Sequence, residues 1–220
     1  MSHKKTSGSI FLKPDRIYRG MNREQRVAAR RSHLLNAAIA CFGTYGYHQT
    51  TLKMLCDQAG LTERYFYESF ANLDDILCCA FQCAAASIFQ QVSDAIAAAA
   101  PTTNDRMHAA VDVYFSLIGA DKARARLVLI EIEGASERAN AAYRAQLNAS
   151  TKLILNKICP DLLLKRNHGL SKQLFSRTIL GMIYQLAKDW SLSDFRLART
   201  SLVHQVHTIA MGIVEVWRAE

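Results

Sequence analysis

The sequence predicts an all-α protein, and three observations carry that prediction. Apolar residues recur at the three- and four-residue spacing of a helix face along most of the 220-residue chain. No run of alternating apolar and polar β-branched residues indicates a half-buried strand. The three prolines, Pro14, Pro101 and Pro160, all fall between predicted helices, where a missing backbone N–H does no harm. We expect about nine helices in an N-terminal three-helix domain and a larger C-terminal helical domain.

Composition indicates a globular protein with a basic N-terminal third. Half of the residues are apolar, 21% are charged, and the formal net charge is +8. Residues 1–71 carry eleven Lys or Arg against five Asp or Glu, whereas the remainder is nearly balanced. This asymmetry predicts a polyanionic partner for the N-terminal third. Residues 1–22, rich in Lys, Ser, Gly and Arg, are predicted to form a basic, disordered arm.

No secretory or membrane-spanning segment is predicted, so we expect a cytoplasmic protein that does not enter a membrane. No apolar run follows the early lysines. The most apolar stretch, CCAFQCAAASIFQQV, is interrupted by glutamines before it reaches the ~18 residues of a span. The six cysteines lie in apolar, helix-like segments without a CxxC pair, which indicates buried thiols in a reducing compartment.

The first helix is expected to begin near residue 23. Apolar side chains at helical spacing mark its buried face as far as Phe42. Gly43 and Gly46 end this helix, because glycine is the residue most often found just after a helix C-terminus.

Two short helices follow, with a glycine between them. The first runs from about 51 to 58 and is capped by Thr50 or Thr51. Gly60 fits the left-handed turn after it. The second runs from about 62 to 69. The pair forms a helix-turn-helix, in which the second helix enters the major groove of DNA.

The second short helix carries polar side chains that suit base recognition. Phe66 and Phe70 face inward and anchor the helix, whereas Glu63, Arg64 and Tyr65 occupy its first turn, where base edges are met. Arg matches the O6 and N7 acceptors of guanine, and Glu can accept from N4 of cytosine. The remaining DNA-binding candidates, most of them placed to bond phosphates, are Thr50, Thr51, Lys53, Thr62, Tyr67 and Ser69.

The rest of the chain is predicted to form six helices. Asn72 and Asp75 have the spacing of a capping box at the start of the first of them. The approximate spans are 72–99, 104–118, 122–133, 137–158, 171–190 and 196–218.

Residues 31–80 resemble the N-terminal domain of the TetR family of transcriptional regulators. The spacing of the matching positions holds without gaps. These positions are Phe42, Gly46–Tyr47, Thr50–Thr51, Ala59–Gly60–Leu61–Thr62, Phe66–Tyr67, Phe70 and Ile76–Leu77.

The resemblance implies a homodimer that binds a palindromic operator in double-stranded DNA, usually as a repressor. It places the recognition contacts at Glu63, Arg64, Tyr65, Tyr67 and Ser69. It also implies release by a small-molecule effector, of unknown identity, bound in the C-terminal domain. We therefore divide the chain into the arm at 1–22, a DNA-binding domain at 23–75, and an effector-binding and dimerisation domain at 76–220.

The last two helices carry apolar stripes, and in TetR-like proteins such helices pair with their symmetry mates as a four-helix bundle. An intramolecular core is the alternative interpretation. The predicted dimer-interface residues are Phe175, Thr178, Met182, Leu202, Val206, Ile209 and Ile213.

An effector pocket is expected among the middle helices. The scarcity of obviously buried charge there favours an apolar effector. The candidate lining residues are Cys83, Tyr114, Tyr143 and Met182. Aromatic and Met residues at helical spacing also fill ordinary cores, so both interpretations remain open.

Two other classes of function remain open on sequence alone. Cys78, Cys79 and Cys83 could serve an enzyme or a redox thiol sensor, although no nearby Lys or His in the sequence lowers a thiol pKa. A helical carrier of apolar ligands would leave the basic N-terminal third unexplained. His204 and His207 lack further ligands at suitable spacing, so no metal is expected. No catalytic or cofactor motif is present, so neither an enzyme nor a cofactor is predicted.

Overall fold

The computed structural model describes residues 20–163 and 171–219, and in these ranges it contains helices and turns but no strand. The all-α prediction is confirmed. Most of the predicted arm, residues 1–19, lies outside the described residues. The α-helices of the described ranges are α1 Arg23–Tyr45, α2 Leu52–Ala59, α3 Glu63–Tyr67, α4 Leu73–Ala98, α5 Thr103–Ala120, α6 Lys122–Arg126, α7 Glu137–Leu153, α8 Lys172–Leu192 and α9 Arg199–Ala219.

Two of these helices each continue into a π-helical turn of their own. The turn Leu127–Glu131 extends α6, and the turn Ile154–Ile158 extends α7 before a short 3-10 turn, Pro160–Leu163. Single π turns are rare in proteins, and those that occur often lie at functional sites. Both turns contribute residues to the same internal cavity, described below.

Capping residues set both ends of α2 and the start of α4. Thr51 is the cap of α2, since its side-chain oxygen accepts from the backbone N–H of Met54 at 3.2 Å. Gly60 ends α2 in the left-handed region, with φ +65°, as predicted. Asn72 caps α4 by accepting from the backbone N–H of Asp75 at 2.9 Å.

α1 attaches the DNA-binding helices to the rest of the protein. Gly43 of α1 lies against the backbone of α6, and a Cβ at this position would be 2.2 Å from the carbonyl oxygen of Ala123. Only glycine allows the two backbones to approach so closely. α1, which packs against both short helices of the helix-turn-helix, therefore rests directly on α6.

α4 is the central helix of the hydrophobic core and contacts α1, α5 and α7. Its length and its mean hydropathy of 1.4 over 18 residues would allow it to cross a membrane, but 50% of that window is buried inside the protein. The apolar composition of α4 is thus also that of a core helix. Phe66 and Phe70 are 0% and 2% exposed in the same core, as predicted.

α9 has two adjacent apolar faces, one buried and one exposed. Val206 has no exposed surface and Leu202 is 6% exposed, so both belong to the core of the subunit. The prediction that these two residues contact a second copy is corrected. The spacing of apolar residues predicted one apolar stripe along α9, but this stripe includes residues of both the buried face and the exposed face. Ile209 and Val216 lie on the exposed face, at 51% and 64% exposure.

Candidate DNA interface and effector cavity

The first turn of α3 presents its polar side chains to solvent. Glu63 and Arg64 are exposed, and the Arg64 side chain keeps 86% of its surface. Tyr67 is 61% exposed. Phe66 is buried beneath them, which fixes the helix and leaves these three side chains free to meet another molecule.

Tyr65 is more enclosed than its neighbours because α1 covers its ring. The Arg30 guanidinium lies 4.3 Å from the ring centroid, and Arg30 also pairs with Glu68 at 3.3 Å. Stacking of this kind holds the ring in one orientation. Arg30 thus positions the recognition helix, a role that no local spacing in the sequence indicated.

Thr50 is turned inward. It is 4% exposed, and its hydroxyl donates to the carbonyl oxygen of Gly46 at 2.7 Å, satisfying the end of α1. The prediction of a phosphate contact at Thr50 is therefore corrected. Thr51, Lys53 and Thr62 are exposed and Ser69 is partly exposed. Their contacts with DNA remain predictions.

An internal cavity of about 80 Å³ lies among the C-terminal helices. Its walls come from α4, α5, α7, α8 and both π turns. Residues that represent these walls are Phe81, Val92, Met107, Tyr114, Val128, Ile158 and Ile183. Among the described residues, no Lys, Arg, His, Asp or Glu side chain lines it. Such a cavity suits an uncharged, largely apolar ligand.

Only one of the four predicted ligand-binding residues lines the cavity. Tyr114 lines the cavity, and Tyr143 lies behind the wall, with its ring 6.5 Å from the ring of Phe81. Cys83 is exposed and Met182 is partly exposed, and neither lines the cavity, so these two assignments are corrected. Two residues along an α-helix rotate the side chain by about 200°, which places Cys83 opposite the wall residue Phe81.

A surface groove between α7 and α8 adjoins the cavity. Leu180 lines both spaces, and Arg144 and Arg177 are exposed along the groove. Arg177 donates to the side-chain oxygen of Asn148 at 3.4 Å. In the described ranges, neither arginine has an ion pair with a carboxylate, and no acidic residue lines the groove. We call it the arginine groove.

The π turn after α6 joins the cavity wall to the DNA-binding domain. Val128 lines the cavity, and Glu131, one turn later, accepts from the backbone N–H of Tyr47 at 2.7 Å. Arg126 donates to Glu131 at 2.8 Å and to the carbonyl oxygen of Thr44 at 3.3 Å. A ligand that displaced Val128 would therefore also shift Glu131 and, through its hydrogen bond to Tyr47, the turn between α1 and α2.

α8 and α9 together present an exposed apolar face. Leu174 is 61% exposed and lies beside Ile209 and Val216, and the rings of Phe175 and Trp217 pack beneath, 4.8 Å apart. The further residues that line this face are Ser171, Thr178, Gly212 and Ile213. Contiguous exposed apolar surface of this kind marks interaction sites.

The cysteines named as alternative functional groups do not form one site. Cys78 is buried, and burial, followed by the charge of Asp74, raises the pKa of its thiol, so it stays protonated. The Cys79 sulfur lies 3.5 Å from a guanidinium nitrogen of Arg31, a neighbour that the sequence did not indicate. Cys83 is exposed on its own. In the ranges described, no three His, Cys, Asp or Glu side chains cluster as metal ligands would.

A helix-turn-helix beside a helical bundle with an internal cavity is the arrangement of a DNA-binding regulator with a ligand-binding domain. Residues 34–77 match the family model of the bacterial regulatory proteins of the tetR family. Residues 34–77 therefore carry the DNA-binding segment of a tetR-family transcriptional regulator.

Known proteins also resemble this chain over most of its length, including the C-terminal helices. The fatty acid metabolism regulator protein of Bacillus subtilis is 24% identical over 179 residues, 79% of this chain and 89% of that protein. The fatty acid degradation regulator FadR of Bacillus halodurans has a TM-score of 0.75 at 20% identity, with 83% of this chain and 95% of that chain covered. FadR of Bacillus subtilis in complex with stearoyl-CoA has a TM-score of 0.70 at 21% identity, with 81% and 96% covered.

Proposed function

We propose that this regulator is a dimeric, cytoplasmic repressor that leaves its palindromic operator when it binds a long-chain fatty acyl thioester such as an acyl-CoA. The observation that carries the proposal is the uncharged cavity that shares Leu180 with the arginine groove. An acyl-CoA has the same two parts, an apolar chain and a phosphate-bearing carrier. A relative solved with stearoyl-CoA adds support.

We assign DNA recognition to residues 23–75. Glu63, Arg64 and Tyr65 meet base edges, and Tyr67 and Lys53 bind the backbone. The exposure of Arg64 and Tyr67 above a buried Phe66 supports this assignment, because a recognition helix needs a fixed inner face and a free outer one. Thr51, Thr62 and Ser69 add phosphate contacts.

Residues 76–220 bind the effector and form the dimer. The exposed apolar face of α8 and α9 meets the same face of a second copy. Ile209, Ile213 and Thr178 from the predicted set lie on this face, and Met182 is partly exposed one helical turn after Thr178 on α8. A two-fold dimer matches the symmetry of a palindromic operator, and burying this face would remove several large apolar side chains from water.

In the effector complex, the acyl chain enters the cavity and the phosphates of the carrier meet Arg144 and Arg177. Because the cavity is narrow, a long chain widens it and moves Val128. The movement is transmitted through Glu131 to Tyr47 and the helix-turn-helix. The two recognition helices of the dimer then no longer match the spacing of the half-sites, about 34–36 Å.

Selection of genomic DNA fragments on the purified protein tests the proposal. We expect a shared palindrome to be enriched, and we expect palmitoyl-CoA, but not CoA alone, to abolish the enrichment. Palindromic fragments that stay bound at saturating palmitoyl-CoA would contradict the effector assignment and leave the DNA-binding assignment standing. No enriched sequence would contradict the regulator itself.

A further inference from the structure

The cavity contains one polar group without a partner. Four polar side chains line it, and three of them are neighbours: Gln146 donates to Ser150 at 3.4 Å, and Ser150 hydrogen-bonds with Tyr184. The fourth, Tyr114, stacks its ring on Tyr184 with centroids 5.7 Å apart. The Tyr114 hydroxyl is buried and has no hydrogen-bond partner within the described ranges.

A buried hydroxyl without a partner is uncommon, because it has given up water and gained nothing in exchange. Burial, together with the nearby hydroxyls of Tyr184 and Tyr143, raises the pKa of Tyr114 well above its ordinary value. The pKa of Tyr184 is raised to about 12, mainly by burial. Both phenols are therefore neutral at physiological pH, and Tyr114 has a proton to donate.

The partner that Tyr114 requires is a neutral acceptor. No cationic side chain lines the cavity in the described part of the chain, so an ionised carboxylate would be buried there without a counter-charge. A carbonyl oxygen carries no such cost. It needs one donor, which the Tyr114 hydroxyl supplies.

We propose that the Tyr114 hydroxyl donates a hydrogen bond to the thioester carbonyl oxygen of the effector, and that the cavity thereby selects a neutral acyl derivative over a free fatty acid. The inference rests on the proposed function and specifies how its effector is recognised. The acyl tail then packs against the apolar part of the lining, which includes Val92, Met107 and Ile158.

The placement of the neighbouring polar residues agrees with a carbonyl at this point. Gln146 and Ser150 on α7 line the cavity, while Leu147 and Asn148, between them in sequence, line the arginine groove. α7 and the side chain of Leu180 therefore border both spaces. A thioester beside Tyr114 would therefore direct its carrier toward Arg144 and Arg177.

The decisive experiment compares two ligands on two proteins by calorimetric titration. The ligands are palmitoyl-CoA and hexadecyl-CoA, the thioether in which a CH₂ replaces the carbonyl. Wild type should bind the thioester about fivefold to tenfold more tightly than the thioether, the range expected for one hydrogen bond. Tyr114→Phe should weaken thioester binding by that factor and leave thioether binding within about twofold.

Matched controls separate this inference from the proposed function. Tyr45→Phe, which alters an exposed phenol of α1 outside the cavity lining, should bind both ligands as wild type does. Equal affinities of wild type for thioester and thioether would overturn the inference but leave an acyl-CoA effector in place. Failure of wild type to bind either CoA ligand would overturn both.

A second pair of ligands tests the preference for a neutral group without the carrier. Wild type should bind the N-acetylcysteamine thioester of decanoic acid more tightly than it binds decanoate at pH 8. Tighter binding of decanoate would overturn the inference, because it would require a positive charge in the cavity.

Discussion

Arg64 is the side chain of α3 that is best placed to read a base. It keeps 86% of its surface and makes one ion pair, with Glu68 at 3.6 Å. An exposed pair of this kind contributes little energy, so its loss on binding DNA costs little. A guanidinium at the start of a recognition helix can instead form two parallel hydrogen bonds with guanine.

Arg64→Ala should weaken operator binding by about 1–3 kcal/mol and relax base preference at one position in each half-site. Fluorescence anisotropy with the operator and with random DNA measures both effects. Lys53→Ala is the control: as a phosphate contact it should weaken both DNAs alike and lower the salt slope by about one. Equal losses on both DNAs for Arg64→Ala would make Arg64 a backbone contact.

The sequence alone does not decide whether Thr50 or Thr51 caps α2. Both are small hydroxyl residues next to a predicted helix start, and either could be assigned as the cap. Only the conformation of the turn decides that Thr51 caps α2 and Thr50 bonds to Gly46. Local spacing likewise gave no sign of Arg30 over Tyr65, because that contact joins residues 35 positions apart.

At the scale of the helices, most of the fold was predictable from the sequence. Apolar periodicity located the helices, and glycine and cap residues located several of their ends, including Gly60 and Asn72. The two π turns were not predictable, because their hydrogen bonds span five residues instead of the four of an α-helix, a difference that leaves no mark on composition. Three wall residues, Val128, Ile154 and Ile158, belong to these turns, but most of the wall comes from four α-helices, and local spacing does not indicate which helix faces meet.

The π turn at Leu127–Glu131 is the element that we expect to couple effector to DNA. Glu131→Ala removes the acceptor of the Tyr47 backbone N–H and the partner of Arg126. The coupling free energy between effector and operator should fall by about 0.5–2 kcal/mol. Operator affinity measured with and without saturating palmitoyl-CoA gives this quantity.

Glu133→Ala is the matched control for that experiment. Glu133 lies two residues further on and forms an ion pair with Lys188 at 2.7 Å, away from the DNA-binding domain. Its removal should change the coupling by less than about 0.5 kcal/mol. Full coupling in Glu131→Ala would show that the signal travels by another route, such as α4.

At the scale of the whole molecule, the two faces of α9 predict opposite outcomes for the same kind of substitution. Ile209→Glu places a carboxylate in the proposed dimer face, where burial without a partner costs several kcal/mol. The variant should sediment as a folded monomer and lose specific operator binding. Val206→Glu places the same charge in the subunit core and should unfold the protein, as loss of helical circular dichroism would reveal.

His204→Glu is the control on the third side of α9, which is exposed and does not line the apolar face. It should remain a folded dimer with normal operator binding. A stable dimer of Ile209→Glu that still binds its operator would place the subunit contact elsewhere. The sequence could not separate these positions, because the buried and exposed faces of α9 are adjacent and share one apolar stripe.

The affinity of the wild-type protein for its operator, measured as palmitoyl-CoA is added, is the most direct test of effector-controlled DNA binding. We expect operator affinity to fall by about 5- to 150-fold at saturation, the usual range for linked sites, and CoA or palmitate alone to have little effect. Operator DNA should lower the affinity for palmitoyl-CoA by the same factor, because linkage is reciprocal. An operator affinity that stays constant while palmitoyl-CoA fills its site would show that acyl-CoA does not control DNA binding.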